Sequence, residues 1–145
     1  MNDNDLVLDY TGASQRATIQ SFINQARAGG AWSGKGLTST AAKNRNPHTT
    51  TLGVIEASEF KSLYGANALF DGEATDTTAI LVKYTYYGDT DFNGTLNFDD
   101  YSRADAGFNG HKSGWINGDF DGNGSVNFDD YSLIDLAFNA QSGAL

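Results

Sequence analysis

Fifteen residues dense in Asp, Asn and Gly occur twice, thirty residues apart: GDTDFNGTLNFDDYS from Gly88 and GDFDGNGSVNFDDYS from Gly118. This duplication constrains the fold more than any other feature, because it places two copies of one acidic turn in a chain of only 145 residues. The charge is distributed to match. Residues 1–88 hold eight acids and seven bases, net −1, whereas residues 89–145 hold ten acids against Arg103 and Lys112, net −8. The C-terminal part therefore repels itself unless something positive binds there. Nucleic acid is a poor partner, since phosphate recognition needs a field of the opposite sign. With no cysteine, neither disulfides nor thiolate metal sites can staple a small acidic fold, and a hard cation would serve instead.

Aligned, the copies set Asp89, Asp91, Asn93, Gly94, Thr95, Asn97 and Asp100 against Asp119, Asp121, Asn123, Gly124, Ser125, Asn127 and Asp130. These are positions 1, 3, 5, 6, 7, 9 and 12 of an EF-hand calcium loop. The spacing has a physical reason: calcium takes about six to eight oxygens at roughly 2.3–2.6 Å, and a tight loop turns alternate side chains inward. Gly at position 6 permits the bend, position 7 offers a backbone carbonyl, and position 12 closes the shell with a carboxylate, here Asp instead of Glu. Two calcium ions are expected, contributing folding free energy more than signalling, because each repeat otherwise clusters five carboxylates. Leu96 and Val126, at position 8, are expected to pair back to back through a short β bridge. Asx-rich turns without an ion are ordinary, but seven matching positions in both copies favour the cation.

Residues 5–87 read as a small α+β module of about three strands plus a helix. LVLDYTG (6–12) predicts a strand ending in a Gly turn, and LGVIEAS (52–58) and TAILVKYTYYG (78–88) predict two more. Ser14 is expected to cap a helix carrying Ile19, Phe22, Ile23 and Ala26 on one face, stopped by Gly29 and Gly30. Residues 38–44 predict a short helix and EASEFKSLYG a further helical turn. In the last strand Ile80, Val82, Tyr84 and Tyr86 alternate with Leu81, Lys83, Thr85 and Tyr87, so it is expected to be half buried with one face outward. It runs into Gly88 without a linker, which predicts that the two halves pack together.

Each loop is followed by one helix, FDDYSRADAGFN or FDDYSLIDLAFN, with Phe98, Tyr101, Ala104 and Phe108, or Phe128, Tyr131, Ile134 and Phe138, near one face. No amphipathic helix precedes either loop, and HKSGWING reads as a turn anchored by Trp115. This loop-plus-exiting-helix tandem, over residues 88–140, resembles the type I dockerin. The resemblance implies a mostly helical calcium-dependent module without catalytic activity that docks onto a cohesin-like partner of a secreted complex. It also implies ligation by Asp89, Asp91, Asn93, Thr95, Asn97 and Asp100 and by Asp119, Asp121, Asn123, Ser125, Asn127 and Asp130. At loop positions 10 and 11, where cellulosomal dockerins commonly carry a small hydroxyl pair, this chain has Phe98-Asp99 and Phe128-Asp129. The NFDDY form with VLDYTG and ILVKYTYYGD looks more like the C-terminal region of large secreted surface proteins of planctomycete-type bacteria, which implies a surface or matrix role.

Other signals are weaker. GGAWSGKG contains G-x-x-x-x-G-K but continues with Gly36 and follows a helix, so a Gly-rich turn around a packing Trp32 is the better reading than a phosphate loop. His48 and His111 lie in polar loops. Glu56, Glu59, Asp71, Glu73 and Asp76 could in principle furnish the carboxylate pair of a carbohydrate-active enzyme fragment, but scattered carboxylates are usually a solvated face. The sequons at Asn93 and Asn123 fall inside the loops, where a glycan would remove a ligand. No run of eighteen apolar residues predicts membrane insertion, and residues 1–12 lack the basic start and apolar core of a signal peptide. The expectation is an extracellular or cell-surface structural or adhesion module, not an enzyme, holding two Ca2+ ions. Its partner is either a cohesin-like domain, through helix faces near Arg103 and Leu133, or copies of itself, through donation of the strand LVLDY to a neighbour's open edge.

Overall fold

The most β-prone run of the chain, AILVKYTY, becomes its central strand. The computed structural model describes residues Met1–Leu145 and has an α+β fold. In chain order the elements are β1 (Leu6–Asp9), α1 (Arg16–Arg27), α2 (Thr40–Asn44), β2 (Thr50–Glu56), α3 (Ala57–Tyr64), β3 (Leu69–Phe70), β4 (Glu73–Ala74), β5 (Ala79–Tyr86), α4 (Phe98–Asn109) and α5 (Phe128–Ala140). Strands β1, β5 and β2 form an antiparallel sheet in that order, with Leu6 opposite Val82 and Thr50 opposite Tyr86. A separate hairpin pairs β3 with β4, which the sequence pattern did not reveal because each strand is two residues long. LVLDY thus pairs with β5 of its own chain.

One face of the sheet packs on helices. Leu52, Val54, Ile80 and Val82 meet Ile23 and Ala26 of α1, together with Trp32 and Ala42. Only part of the anticipated apolar stripe is used, for Phe22 remains 46% exposed. Ser14 sits one residue before the capping position and accepts a hydrogen bond from the Arg16 amide at 3.1 Å. Helix α1 ends where Ala28 and Gly29 turn left-handed. The Gly-rich turn then folds back along the helix: the Gly34 amide donates to Ala26 O at 3.1 Å, and a Cβ on Gly34 would lie 1.8 Å from Gln25 O. Glycine is needed here for close backbone approach, and Trp32, 2% exposed, is the packing anchor of the turn.

The second face is covered by the acidic half of the chain. Ile55 and Leu81 share one cluster with Phe60 of α3, Phe92 and Trp115 of the loops, and Ile134 of α5. Gly53, in the middle of β2, leaves the space that the loops fill: a Cβ there would come within 2.6 Å of the Phe92 ring and 2.7 Å of the Trp115 indole. Trp115, 2% exposed, donates its indole N–H to Asp89 O at 2.6 Å. Truncating a buried aromatic of this kind costs about 3–5 kcal/mol. Residues 5–87 and 88–140 therefore draw on a common core. The half-buried last strand is corrected: β5 is central, and residues expected to face outward are buried, Lys83 against Asp5, Asp71 and Phe70, Thr85 against Asp89, and Tyr87 in the cluster shared with the acidic half.

Helices α4 and α5 run antiparallel. Tyr101, near the start of α4, meets Phe138 at the end of α5 with ring centroids 5.8 Å apart, and Phe108, near the end of α4, meets Tyr131 at 5.9 Å. The Tyr101 hydroxyl donates to Asp135 Oδ1 at 2.7 Å and the Tyr131 hydroxyl to Asp105 Oδ1 at 2.5 Å, so the two copies exchange equivalent bonds. Each loop precedes its own helix, and antiparallel helices hold the loops at opposite ends. That separation overturns the expected β bridge: neither Leu96 nor Val126 lies in a strand. Leu96 instead has its amide and carbonyl paired with the side-chain amide of Gln141, at 2.8 and 2.9 Å. The packed helix faces also differ from expectation, since Ala104, Gly107, Ile134 and Ala137 are buried while Phe98 and Phe128 are 81% and 76% exposed.

Candidate metal centres

Asx residues at alternate positions fold each loop by capturing the amides two or more residues on. In the first loop Asp89 accepts from the amides of Asn93 and Gly94 at 3.1 and 3.0 Å, and Asn93 Oδ1 accepts from the Thr95 amide at 2.8 Å. In the second, Asp119 accepts from Gly124 at 3.1 Å and Asn123 Oδ1 from the Ser125 amide at 3.0 Å. Gly94 and Gly124 have φ of 82° and 96°, the left-handed bend that position 6 requires. Asn97 and Asn127 are the N-caps of α4 and α5, and Asp100 and Asp130 complete a reciprocal capping box with them. One carboxylate thus orders the helix start and brings position 12 back to position 1.

The loops gather two carboxylate groups, Asp89 with Asp91 and Asp100, and Asp119 with Asp121 and Asp130, each offering oxygens within 4.8 Å of one another. Either trio could hold a metal ion. Asp89, Asp100, Asp119 and Asp130 are at most 4% exposed. Burial raises all four carboxyls, and backbone amides offset this only in part; Asp89 is pushed up to about 7 and Asp130 to about 6. Such carboxylates are costly to ionise without a positive partner. The second trio also leaves Asp119 Oδ1 buried without a hydrogen-bond partner. A buried acceptor left unmade costs about 1–3 kcal/mol, and a cation between the three carboxylates removes that cost. The donor set, all oxygen, fits a hard divalent ion.

Of the other expected ligands, Asn93 and Asn123 are exposed at the loop tips, and Asn123 Nδ2 donates to Asp121 Oδ2 at 2.8 Å. Thr95 and Ser125 turn their hydroxyls onto Asn93 and Asn123, which leaves position 7 to contribute through its backbone carbonyl. Asn97 and Asn127 have side chains engaged in capping. The structure therefore brings together the Asp trios most closely.

Two participants were not anticipated. The Thr85 hydroxyl, on β5, donates to Asp89. Arg103 Nη1 lies 3.3 Å from Asp91 Oδ2, 3.9 Å from Asp100 Oδ1 and 3.1 Å from the Thr90 hydroxyl, so it faces the first trio. The corresponding residue of the second copy is Leu133, and no basic side chain pairs with Asp119, Asp121 or Asp130. The loop pattern carries no signal for Thr85; for Arg103 the one available signal was its mismatch with Leu133.

The scattered acids of the first half are held separately. Glu56 accepts from Tyr10 and Ser14, Glu59 pairs with Arg16 at 2.9 Å, and Asp76 accepts from Thr78. Asp71 faces Lys83 at 3.3 Å. His48 and His111 are exposed. No helix is long and apolar enough to cross a membrane. Comparison with known proteins finds no matching family model, no matching curated protein and no matching solved structure.

Proposed function

We propose that the chain is a non-catalytic, calcium-stabilised structural or adhesion module of the cell exterior that mediates assembly between proteins. The observation that carries the reading is the pair of buried Asp trios at equivalent loop positions, one with the Asp119 oxygen lacking any partner. Asp89, Asp91 and Asp100, and Asp119, Asp121 and Asp130, would hold the two ions, with Asn93, Asn123 and the carbonyls of Thr95 and Ser125 completing each shell in the manner of an EF-hand loop. The bound ions supply the positive charge that lets these carboxylates ionise inside the fold. The antiparallel loop-helix pair supports the dockerin-like reading of residues 88–140.

Assembly by self-association is supported by the position of β1. It is an edge strand, tied to the body through exposed residues 11–15 with Gly12 at φ 89°. Exchange of β1 between copies keeps every contact it makes within one chain. A second reading, docking onto a cohesin-like partner, is favoured by Phe98 and Phe128, two exposed aromatics at equivalent positions.

The test is metal removal. A chelator is expected to abolish the near-UV circular dichroism of the protein and lower its thermal midpoint, with both restored by calcium, and titration is expected to show two ions per chain. An unchanged melt would overturn the calcium reading. Electron microscopy of the concentrated calcium-loaded protein separates the two modes of assembly: filaments support strand exchange, and discrete monomers refute it.

A further inference from the structure

Away from both loops, the structure holds a second group of charges that neither ion would use. Lys83 lies in the middle of the central strand β5, on the face toward the acidic half, and is 8% exposed. Asp5 immediately precedes β1. The Tyr10 amide donates to Thr78 O at 3.0 Å and the β1–β5 register pairs Leu6 with Val82, so continuing the ladder by one residue sets Asp5 opposite Lys83 in a non-hydrogen-bonded pair, where side chains approach most closely. Lys83 Nζ is 2.8 Å from Asp5 Oδ2, and Asp5 Oδ1 is fixed by the Tyr84 amide at 2.9 Å. Asp71, from the turn between β3 and β4, approaches the same nitrogen at 3.3 and 3.4 Å, and the Phe70 ring centroid is 5.7 Å away.

We propose that Lys83 and Asp5 form an intramolecular isopeptide bond, with Asp71 as the proton carrier. Three features distinguish the group from an ordinary ion pair. The amine is desolvated against an aromatic ring, the condition that turns a lysine into a nucleophile. Asp5 Cγ lies one bond beyond an oxygen already in contact with Nζ, so a small rotation reaches the near-attack range of about 3–3.5 Å. The second carboxyl divides the roles. Burial, followed by the neighbouring Asp71 carboxyl, raises Asp5 to about 6, whereas Asp71 is lowered, so of the two Asp5 takes up a proton more readily. A neutral acid can be attacked by an amine; a carboxylate cannot. Burial alone would pull Lys83 toward the free amine, but the two carboxylates more than reverse this and raise it, so a base in contact is needed. Asp71 is in contact, and its side chain is 49% exposed, beside a cavity it lines with Asp5, Val7 and Phe70.

The step balances without an oxidant, metal or cofactor. The Asp71 carboxylate takes a proton from the Lys83 ammonium, and the Nζ lone pair attacks Cγ of the protonated Asp5. As the tetrahedral centre collapses, Asp71 returns its proton to the departing hydroxyl, which leaves as water, and collects the second proton from nitrogen. Nζ–Cγ forms, Cγ–O breaks, one water is lost, and one proton passes from Asp71 to solvent. The bond closes a loop between residues 78 positions apart and fastens the edge strand to the sheet.

The inference is independent of the calcium reading and is tested on the full chain, purified with calcium and denatured before intact mass measurement. The expected result is a chain about 18 Da lighter than its sequence, with a proteolytic fragment joining Lys83 to Asp5. If β1 is exchanged between copies, the same joined fragment appears in a boiling-resistant ladder, which also supports the bond. Asp71→Asn is expected to keep its near-UV spectrum and to run at full mass with Lys83 open to proteolysis. Asp5→Asn is expected to lose ammonia, about 17 Da, in place of water. Wild-type chains at full mass, with Lys83 cleaved normally, would overturn the proposal; a bond from Lys83 to Asp71, or an unaltered mass deficit in Asp71→Asn, would overturn the assigned roles.

Discussion

The two loops share a frame, yet the first is closed by its neighbours and the second is left open. Asp89 receives the Thr85 hydroxyl from the sheet, Asp91 and Asp100 face Arg103, and Leu96 is gripped by Gln141. The second loop has Leu133 where the first has Arg103, and a buried Asp119 oxygen with nothing to bind it. The difference teaches that a loop sequence specifies a donor set, while side chains from outside the loop decide how hungry that set is for a cation. Loop one carries part of its counter-charge on a tether. Loop two must obtain all of it from solution.

The comparison can be broken first by pH, where the largest effect is expected. A carboxyl whose folded value is raised stabilises the fold below its unfolded value, and that contribution is lost as pH rises through the folded one. For the metal-free chain the loss begins above about 4, passes about 6 for Asp130 in loop two and about 7 for Asp89 in loop one. Thermal midpoints between these limits should fall by the equivalent of about 2–4 kcal/mol, and Asp89→Asn should flatten the upper part of the curve. A midpoint that climbs over this window would contradict the burial argument.

Next in size is Asp119→Asn, expected to weaken calcium at loop two by about two orders of magnitude while leaving loop one titratable. Calorimetric titration would resolve the two events, and the tighter one should vanish. Arg103→Leu, which gives loop one the residue of loop two, should tighten the weaker event by roughly tenfold, since a positive charge no longer opposes the ion. If the two events are already equal in the wild type, the tether has no influence. Smallest are Tyr101→Phe and Tyr131→Phe. These remove equivalent bonds to Asp135 and Asp105, and each should cost about 1 kcal/mol in denaturant unfolding. Unequal costs would show that the helix pair is less symmetric than its geometry.

Much of the fold was legible because its signals are local. Periodicity located α1 and the three long strands, and the duplicated Asx-Gly spacing located both Asp trios. What could not be read depends on contacts between distant segments. Lys83 is buried by Asp5, Asp71 and Phe70, and Thr85 by Asp89 of the first loop, and a strand pattern alone cannot say what covers its second face. Phe98 and Phe128 look like core residues by spacing, but α4 turns the smaller Ala104 and Gly107 onto the turn at Trp115–Gly118, and the rings that join α4 to α5 are Tyr101, Phe108, Tyr131 and Phe138. The expected β bridge failed because it presumed loops side by side. Lys83 drew no notice because its partners are supplied by a residue before β1 and by a turn between two strands too short to predict.

The two tryptophans sit one in each core cluster, on opposite faces of the sheet. Trp32 is wedged among aliphatic side chains with its N–H unpartnered, while Trp115 is tied to the first residue of loop one. The molecule therefore carries two optical channels: emission from Trp115 follows the state of the acidic loops, and that from Trp32 follows the helical face. With Trp32 replaced by Phe, a single fluorescence trace would report when the loops order, separately from whether the sheet has formed.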